Sequence, residues 1–492
     1  MTYSPASGRP IRSRRRPLWL PVLLLGVALA AQAGAAPQRE TRSGPVAGTA
    51  RDGVVVFKGI PYAAPPVGAL RWQPPQPPAE WQGPRDATRF GAVCPQQATA
   101  WMQQLPQSED CLTLNIWAPV HGRDLPVAVW IHGGASTAGS GAQPAFDGTR
   151  FARDGVVLVT LNYRLGQLGF FAHPQLQAGG NFGYMDMIAA LRWVQDNIAS
   201  FGGDPARVTV MGESSGGMAV TALMASPQAR GLFAAAISQS AGESSLEPLD
   251  KAVAAGGRLA QAAGAADLSA LRALAARAIV DIPREGTYAG PMLDGITLSG
   301  QPSAVFAAGR AAQVPFLVGA TDREEASLDS LSAQEAQQRL DGLLAAYPAQ
   351  AEAARRLYGI ERAGPVESLV QILSDAGTVE PARYYARQHR PAWVYRFSYV
   401  ATKDRASVLG ARHAAELPYV FDTAQWATSD EDRQAVEAVH GAWLRFISNG
   451  APGWPAFLSP DEPINDFTRA GPVVRPDPLR ARLDLVEAAK AR

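Results

Sequence analysis

Ser214 stands between Gly212 and Gly216 in "VMGESSGGMAV", directly behind the apolar run Val208-Thr209-Val210-Met211 and ahead of the helix-like "GMAVTALMAS". A strand, Gly-x-Ser-x-Gly and a helix make the turn that lifts a serine hydroxyl above a sheet. The turn is too tight for side chains beside the serine, which is why glycine flanks it. It also places the hydroxyl over a helix N-terminus, where free N–H groups and the helix dipole favour developing negative charge. That is the environment of a nucleophile for acyl transfer.

A serine nucleophile needs a base and an oxyanion site. "VWIHGGAS" follows an apolar strand upstream of the turn, and its glycines let backbone N–H groups face a ligand. The expected oxyanion donors are the N–H groups of Gly134, Ala135 and Ser215. In this arrangement the chain order runs serine, acid, histidine. Of the six histidines, that leaves His389, His413 and His440. His440 falls inside the helical pattern "EDRQAVEAVHGAWLRFI", and His389 ends a helical run before Pro391. His413 lies in "LGARHAAELPYVF", a loop after the strand-like "AWVYRFSYV". Loops at strand ends are where a base belongs, so His413 is the expected base.

The elements that must hold these groups are apolar runs: Val127–Ile131, Val156–Leu161, Val208–Met211 and Val314–Val318. Continuous runs of this kind suit strands covered on both faces. Helical patterns alternate with them, notably "MDMIAALRWVQDNIASF". The fold class is therefore α/β, a mostly parallel sheet with helices on both faces. Residues 248–285 and 331–358 read as helical insertions. The stretch Gly44–Phe57 reads as a short hairpin. The Pro- and Trp-rich "KGIPYAAPPVGALRWQPPQPPAEW" reads as ordered chain lying over a core.

Composition narrows the alternatives. The chain has 492 residues, 47% hydrophobic and 18% charged, with a formal net charge of +1. A large core is available, and no basic field points to nucleic acid. The N-terminus has a character of its own: arginines at 12 and 14–16, an apolar run from Leu18 to Ala30, then small residues to Ala36. This is the pattern of a secretory signal peptide, cleaved after Ala33 or Ala36, and the run is short for a membrane span. The expected organisation is a signal peptide over 1–36, one catalytic domain over 37–492, and export to the periplasm or medium. Two cysteines, Cys94 and Cys111, exclude a cysteine-built zinc site and suit an oxidising compartment. No metal motif is present and no cofactor is implied.

The segments "FKGIPYAAPPVGALRW", "EDCLTLNIWAP", "LNYRLGQLGFF", "GNFGYMDMIAALRWVQDNIASFGGDPARVTVMGESSGG", "ISQSAG" and "RHAAELPYVF" occur in one order along the chain. In this the sequence resembles the type-B carboxylesterases of the α/β-hydrolase superfamily. The resemblance implies a serine ester hydrolase acting on a small-molecule ester through an acyl-enzyme. Ser214 would be the nucleophile, His413 the base, and a glutamate after "VPFLVGA" the acid. It also implies a disulfide between Cys94 and Cys111. Glu213 would be a buried structural partner. An amidase, carbamate hydrolase or polyester hydrolase could use the same residues, and a non-catalytic binding module would have lost the nucleophile. Departures from the family pattern are Ala135 for a third glycine, Ser215 for an alanine, and Met187 for a glutamine.

In "VPFLVGATDREEASLD" two counts compete for the acid. Counting forward from Gly319 lands on Glu324. Counting back from the small residue that follows the acid lands on Glu325, ahead of Ala326-Ser327-Leu328. The second count is preferred, because a small residue behind the acid leaves room for the imidazole. Glu325 is thus the expected acid, with Glu324 turned to solvent.

Overall fold

A computed structural model describes residues 36–97, 105–176, 179–243, 245–458 and 460–490. The expected signal peptide falls almost wholly outside these residues. Among the described residues no helix is long and apolar enough to cross a membrane.

One eleven-stranded sheet organises the chain. Its strands are β1 (Thr49–Arg51), β2 (Val54–Pro61), β3 (Thr113–Pro119), β4 (Leu125–Ile131), β5 (Val157–Leu161), β6 (Gly203–Glu213), β7 (Ala235–Gln239), β8 (Phe316–Thr321), β9 (Ala392–Phe397), β10 (Pro463–Thr468) and β11 (Gly471–Pro476). They lie side by side as β11-β10-β9-β8-β7-β6-β4-β5-β3-β2-β1. From β5 across to β10 every pairing is parallel. The antiparallel pairings are confined to the two ends of the sheet. Of the hairpin expected over Gly44–Phe57, only the part from Thr49 forms, as β1–β2 closed at Asp52-Gly53, while Gly44–Ala47 pairs with Gln38–Thr41 in a separate small sheet.

The apolar runs are continuous because both faces are covered. Along β4, Val127, Val129 and Ile131 enter one core, and Ala128 and Trp130 enter the other. In β5, Val157, Val159 and Leu161 face the first core and Leu158 the second. This is the period-two alternation of a strand with no solvent face. Helices α1 (Phe182–Asn197) and α2 (Ser215–Ala225) cover the first face through Leu191, Val194, Val220 and Leu223. Helix α3 (Asp430–Asn449) covers the second through Val439, Trp443 and Phe446. Met187, the departure in α1, is fully buried in the first core. The aromatic-rich stretch after β2 does lie over core: Trp72 has no exposed surface and donates its indole N–H to the Gln167 carbonyl at 2.8 Å.

Cys94 and Cys111 are joined by a disulfide, with Cα atoms 5.1 Å apart and both side chains buried. The bridge closes a 17-residue separation, which in the chain-entropy account is worth about 3 kcal/mol against the reduced chain. Free-thiol titration of the denatured, unreduced protein is expected to find no reactive thiol. Two thiols per chain would show the bridge unformed.

Candidate active site

The parallel strands end on a common edge, and the site is built there. β6 runs out at Glu213, and the chain reverses directly into α2. Ser214, at the reversal, has φ 57° and ψ −126°. Such a conformation is strained for a residue with a side chain and persists only where the surroundings over-determine it. Here they do. Ser214 N–H donates to the Gln239 carbonyl at the end of β7 (2.9 Å), and its carbonyl accepts from Met218 N–H in α2 (2.9 Å). The flanking glycines answer to contact. A Cβ on Gly216 would stand 2.2 Å from the Ile131 carbonyl oxygen, and one on Gly212 would stand 2.5 Å from that of Gly216. Neither position admits a side chain.

The loop after β4 closes against this turn. Gly134 has φ 108°, and a Cβ there would lie 2.2 Å from the Ala138 carbonyl oxygen. Ala135 and Ser136 follow at φ 55° and 56°, a left-handed pair. Ser136 N–H donates to the buried Ser215 Oγ at 3.0 Å, which pins the loop to the start of α2. Among the described residues, the N–H groups of Gly134, Ala135 and Ser215 donate to no protein acceptor. Alanine at 135 and serine at 215 keep their amides, so the departures from the family pattern leave all three donors in place. His132, at the root of the loop, is buried, and that burial lowers its pKa to about 4. It is stacked on Tyr163, whose hydroxyl donates to the His132 carbonyl at 2.9 Å.

His413 lies in a turn-rich loop beyond β9, as its sequence context suggests. The loop is tied to the segment after β8: Ala411 N–H donates to Asp322 Oδ1 (2.7 Å), and Arg323 N–H donates to the Ala411 carbonyl (3.0 Å). The other late histidines are occupied elsewhere. His440 contacts the Val420 carbonyl and Asp154, and His389 contacts the Val314 carbonyl.

The carboxylate at His413 Nδ1 is Glu324, which corrects the expectation of Glu325. Glu324 Oε2 accepts from His413 Nδ1. Its Oε1 accepts from Ser240 Oγ (2.6 Å) and from Thr321 N–H (2.7 Å), and the side chain is only 1% exposed. The reason lies in the turn. Thr321, the last residue of β8, hooks the carboxylate three positions on. Arg323 between them is buried and held by Asp329 and Glu367. Glu325 starts a short 3₁₀ turn over Ala326–Ser330, its N–H donating to Ser374 Oγ (3.0 Å), and its half-buried side chain lines the pocket away from Nδ1. The carboxylate on the imidazole is therefore the one reached by the forward count from Gly319.

Three further groups surround the histidine, and of these only Glu213 has a role expected from the sequence, that of a buried structural partner. Ser240, in the left-handed region at φ 48°, orients Glu324. Glu416 lies buried under the histidine loop, its Oε1 accepting from Gln239 Nε2 at 3.0 Å. Glu213 places Oε1 3.0 Å from His413 Nε2, although the alignment is too poor for a hydrogen bond. Their signals were the strings "ISQSAG", "RHAAEL" and "GES" themselves.

Burial raises the pKa of Glu213 to about 8; the His413 charge opposes this, and Glu416 and Glu324 add to it. Burial and then the Glu324 charge raise Glu416 to about 7. For His413 burial acts downward. It is outweighed by the Glu324 hydrogen bond and by the charges of Glu213, Glu324 and Glu416, which together raise the imidazole to about 9. Ser214 and His413 line one cavity of about 750 Å³ with Met218, Ser240, Gly242 and Thr378. In this structure Nε2 is turned toward Glu213, and no hydrogen bond joins it to Ser214 Oγ. Such contacts often form only when substrate binds.

The chain matches the carboxylesterase family over residues 35–469. It is 37% identical to a para-nitrobenzyl esterase of Bacillus subtilis, over 85% of this chain and 92% of that one. It is also 37% identical to a fumonisin B1 esterase of Sphingopyxis macrogoltabida, over 85% and 84%. A solved para-nitrobenzyl esterase superposes with a TM-score of 0.81 at 33% identity, covering 92% of this chain and all of the other. These neighbours share the α/β-hydrolase fold, with its mostly parallel sheet sandwiched between helices.

Proposed function

The chain belongs to the carboxylesterase family and is a carboxylic ester hydrolase; from that premise we propose that Ser214, His413 and Glu324 carry out the hydrolysis. His413 Nε2 takes the Ser214 proton as Oγ attacks the ester carbonyl. The N–H groups of Gly134, Ala135 and Ser215 receive the oxyanion of the tetrahedral intermediate. Its collapse expels the alcohol, protonated by His413, and leaves an acyl-serine. Water activated by the same imidazole then releases the acid. Glu324 holds the ring by Nδ1–H, which keeps Nε2 as the proton acceptor. The observation that carries this reading is the strained φ of 57° at Ser214, which sets a hydroxyl beside three unclaimed N–H donors.

A p-nitrophenyl ester series of increasing acyl length, run beside an amide analogue, tests the reaction class. Turnover of the esters with little of the amide is the expected result. Amide turnover at the same rate would move the reading to an amidase. We also propose that residues 1–36 are a cleaved export signal; the apolar run behind its arginines and the paired cysteines support this. N-terminal sequencing of the exported protein checks it.

The pH dependence follows from the carboxylates around His413. The imidazole must be neutral to accept a proton. Groups that raise its pKa therefore push the acid limb of kcat/KM upward, between the ordinary imidazole value near 6.5 and about 9. Activity is expected to rise with pH across that window. Glu213→Gln removes one source of negative field, so the limb is expected at lower pH than in the wild type. A limb unmoved in the variant would show that Glu213 bears no charge in the working enzyme.

A further inference from the structure

Beside the reacting residues, the catalytic cavity holds one positive and one negative side chain with no ion-pair partner. Arg412, the residue before His413, is exposed and lines the cavity. Among the described residues no carboxylate, carbonyl or ring engages its guanidinium. The neighbouring arginines are committed: Arg323 to Asp329 and Glu367, Arg396 to Asp477, and Arg405 to Glu431. The backbone of Arg412 is fixed by its bridge to Arg323, so the side chain springs from a rigid point next to the base. Of the other charges in the cavity, Asp329 is neutralised by Arg323, and Glu324 is bound to His413. Glu325 is the remaining negative group.

We propose that Arg412 is a subsite for a carboxylate on the substrate, so that this enzyme takes esters bearing a second, free acid group. The inference rests on the esterase reading above. A guanidinium presents paired N–H donors to a carboxylate, and such charge-assisted bonds are stronger than neutral ones. Ser327 adds a hydroxyl to the same cavity, while those of Ser240, Ser330 and Thr378 donate to Glu324 and to the Ser327 and Ser374 carbonyls. Glu325 faces the same space and repels the anion, so it sets an upper limit on the preference.

The test uses three p-nitrophenyl esters of similar length: the hydrogen adipate, the heptanoate and the 6-aminohexanoate. At low salt the wild type is expected to favour the adipate over the heptanoate by about tenfold in kcat/KM, chiefly through KM, a difference of about 1.4 kcal/mol. Added salt should shrink the ratio. Arg412→Ala should abolish the preference while lowering heptanoate turnover by no more than about threefold. Arg412→Lys should retain part of it, and Arg412→Glu should favour the 6-aminohexanoate. Glu325→Gln should raise the adipate preference. Turnover of the heptanoate with no wild-type preference for the adipate overturns the inference alone, as do equal losses on all three esters in Arg412→Ala. Failure to hydrolyse any of the three overturns the esterase reading and the inference with it.

Discussion

Ser214→Ala is expected to lose ester turnover by a factor on the order of 10⁴ to 10⁶ while keeping its fold, because a triad without its nucleophile retains only binding and oxyanion stabilisation. The substitution removes Oγ and nothing that holds the turn. The Ser214 N–H still donates to Gln239 and its carbonyl still accepts from Met218. Alanine bears the same backbone strain as serine at φ 57°, so thermal unfolding should be little changed. An organophosphate should label Ser214 and no other serine. The two rivals nearby have committed hydroxyls: Ser215 Oγ accepts from Ser136 N–H, and Ser240 Oγ donates to Glu324. A mass adduct on Ser215 or Ser240 would overturn the assignment. So would a variant that keeps more than about a hundredth of wild-type turnover.

Much of this architecture is local, and so it is legible in the sequence. The strands β4, β5 and β6 announce themselves as apolar runs because each residue is buried on one face or the other. Gly212 and Gly216 are readable because the turn leaves no space for a Cβ, a requirement met within five residues. His413 could be placed in a loop because its neighbours lack the helical period that surrounds His440. What the sequence conceals is settled between distant segments. Glu416 reaches Gln239 across 177 positions, and Ser240 reaches Glu324 across 84. No period or spacing records such pairings. The carboxylate that meets His413 is hidden for the same reason: the size of the following residue says little, and the direction of Glu324 is decided by Thr321 N–H and Ser240 Oγ. Arg323 is drawn out of the way by Glu367, on a helix more than forty positions on.

That geometry makes the proposed acid the sharpest test of the site. Glu324→Gln is expected to cut kcat/KM by about 10³ to 10⁴, as a carboxylate-to-amide change does in a related triad. The loss has a specific cause. Oε1 of Glu324 accepts from two donors, Ser240 Oγ and Thr321 N–H. An amide at this position must set its carbonyl oxygen toward them, since an NH₂ would meet two donors. Its NH₂ then faces His413 Nδ1, which has to accept. The ring proton is forced onto Nε2, the nitrogen that must receive the Ser214 proton. The variant imidazole also loses the Glu324 charge that helps raise its pKa, so any residual activity should show its acid limb at lower pH than the wild type. Glu325→Gln, by contrast, leaves the N–H bond to Ser374 Oγ intact and touches no atom of the imidazole. Its turnover of neutral esters should stay within about threefold of the wild type. A reversed pattern, with Glu325→Gln inactive and Glu324→Gln nearly normal, would mean that the loop after β8 rearranges to bring the second glutamate onto His413 during catalysis.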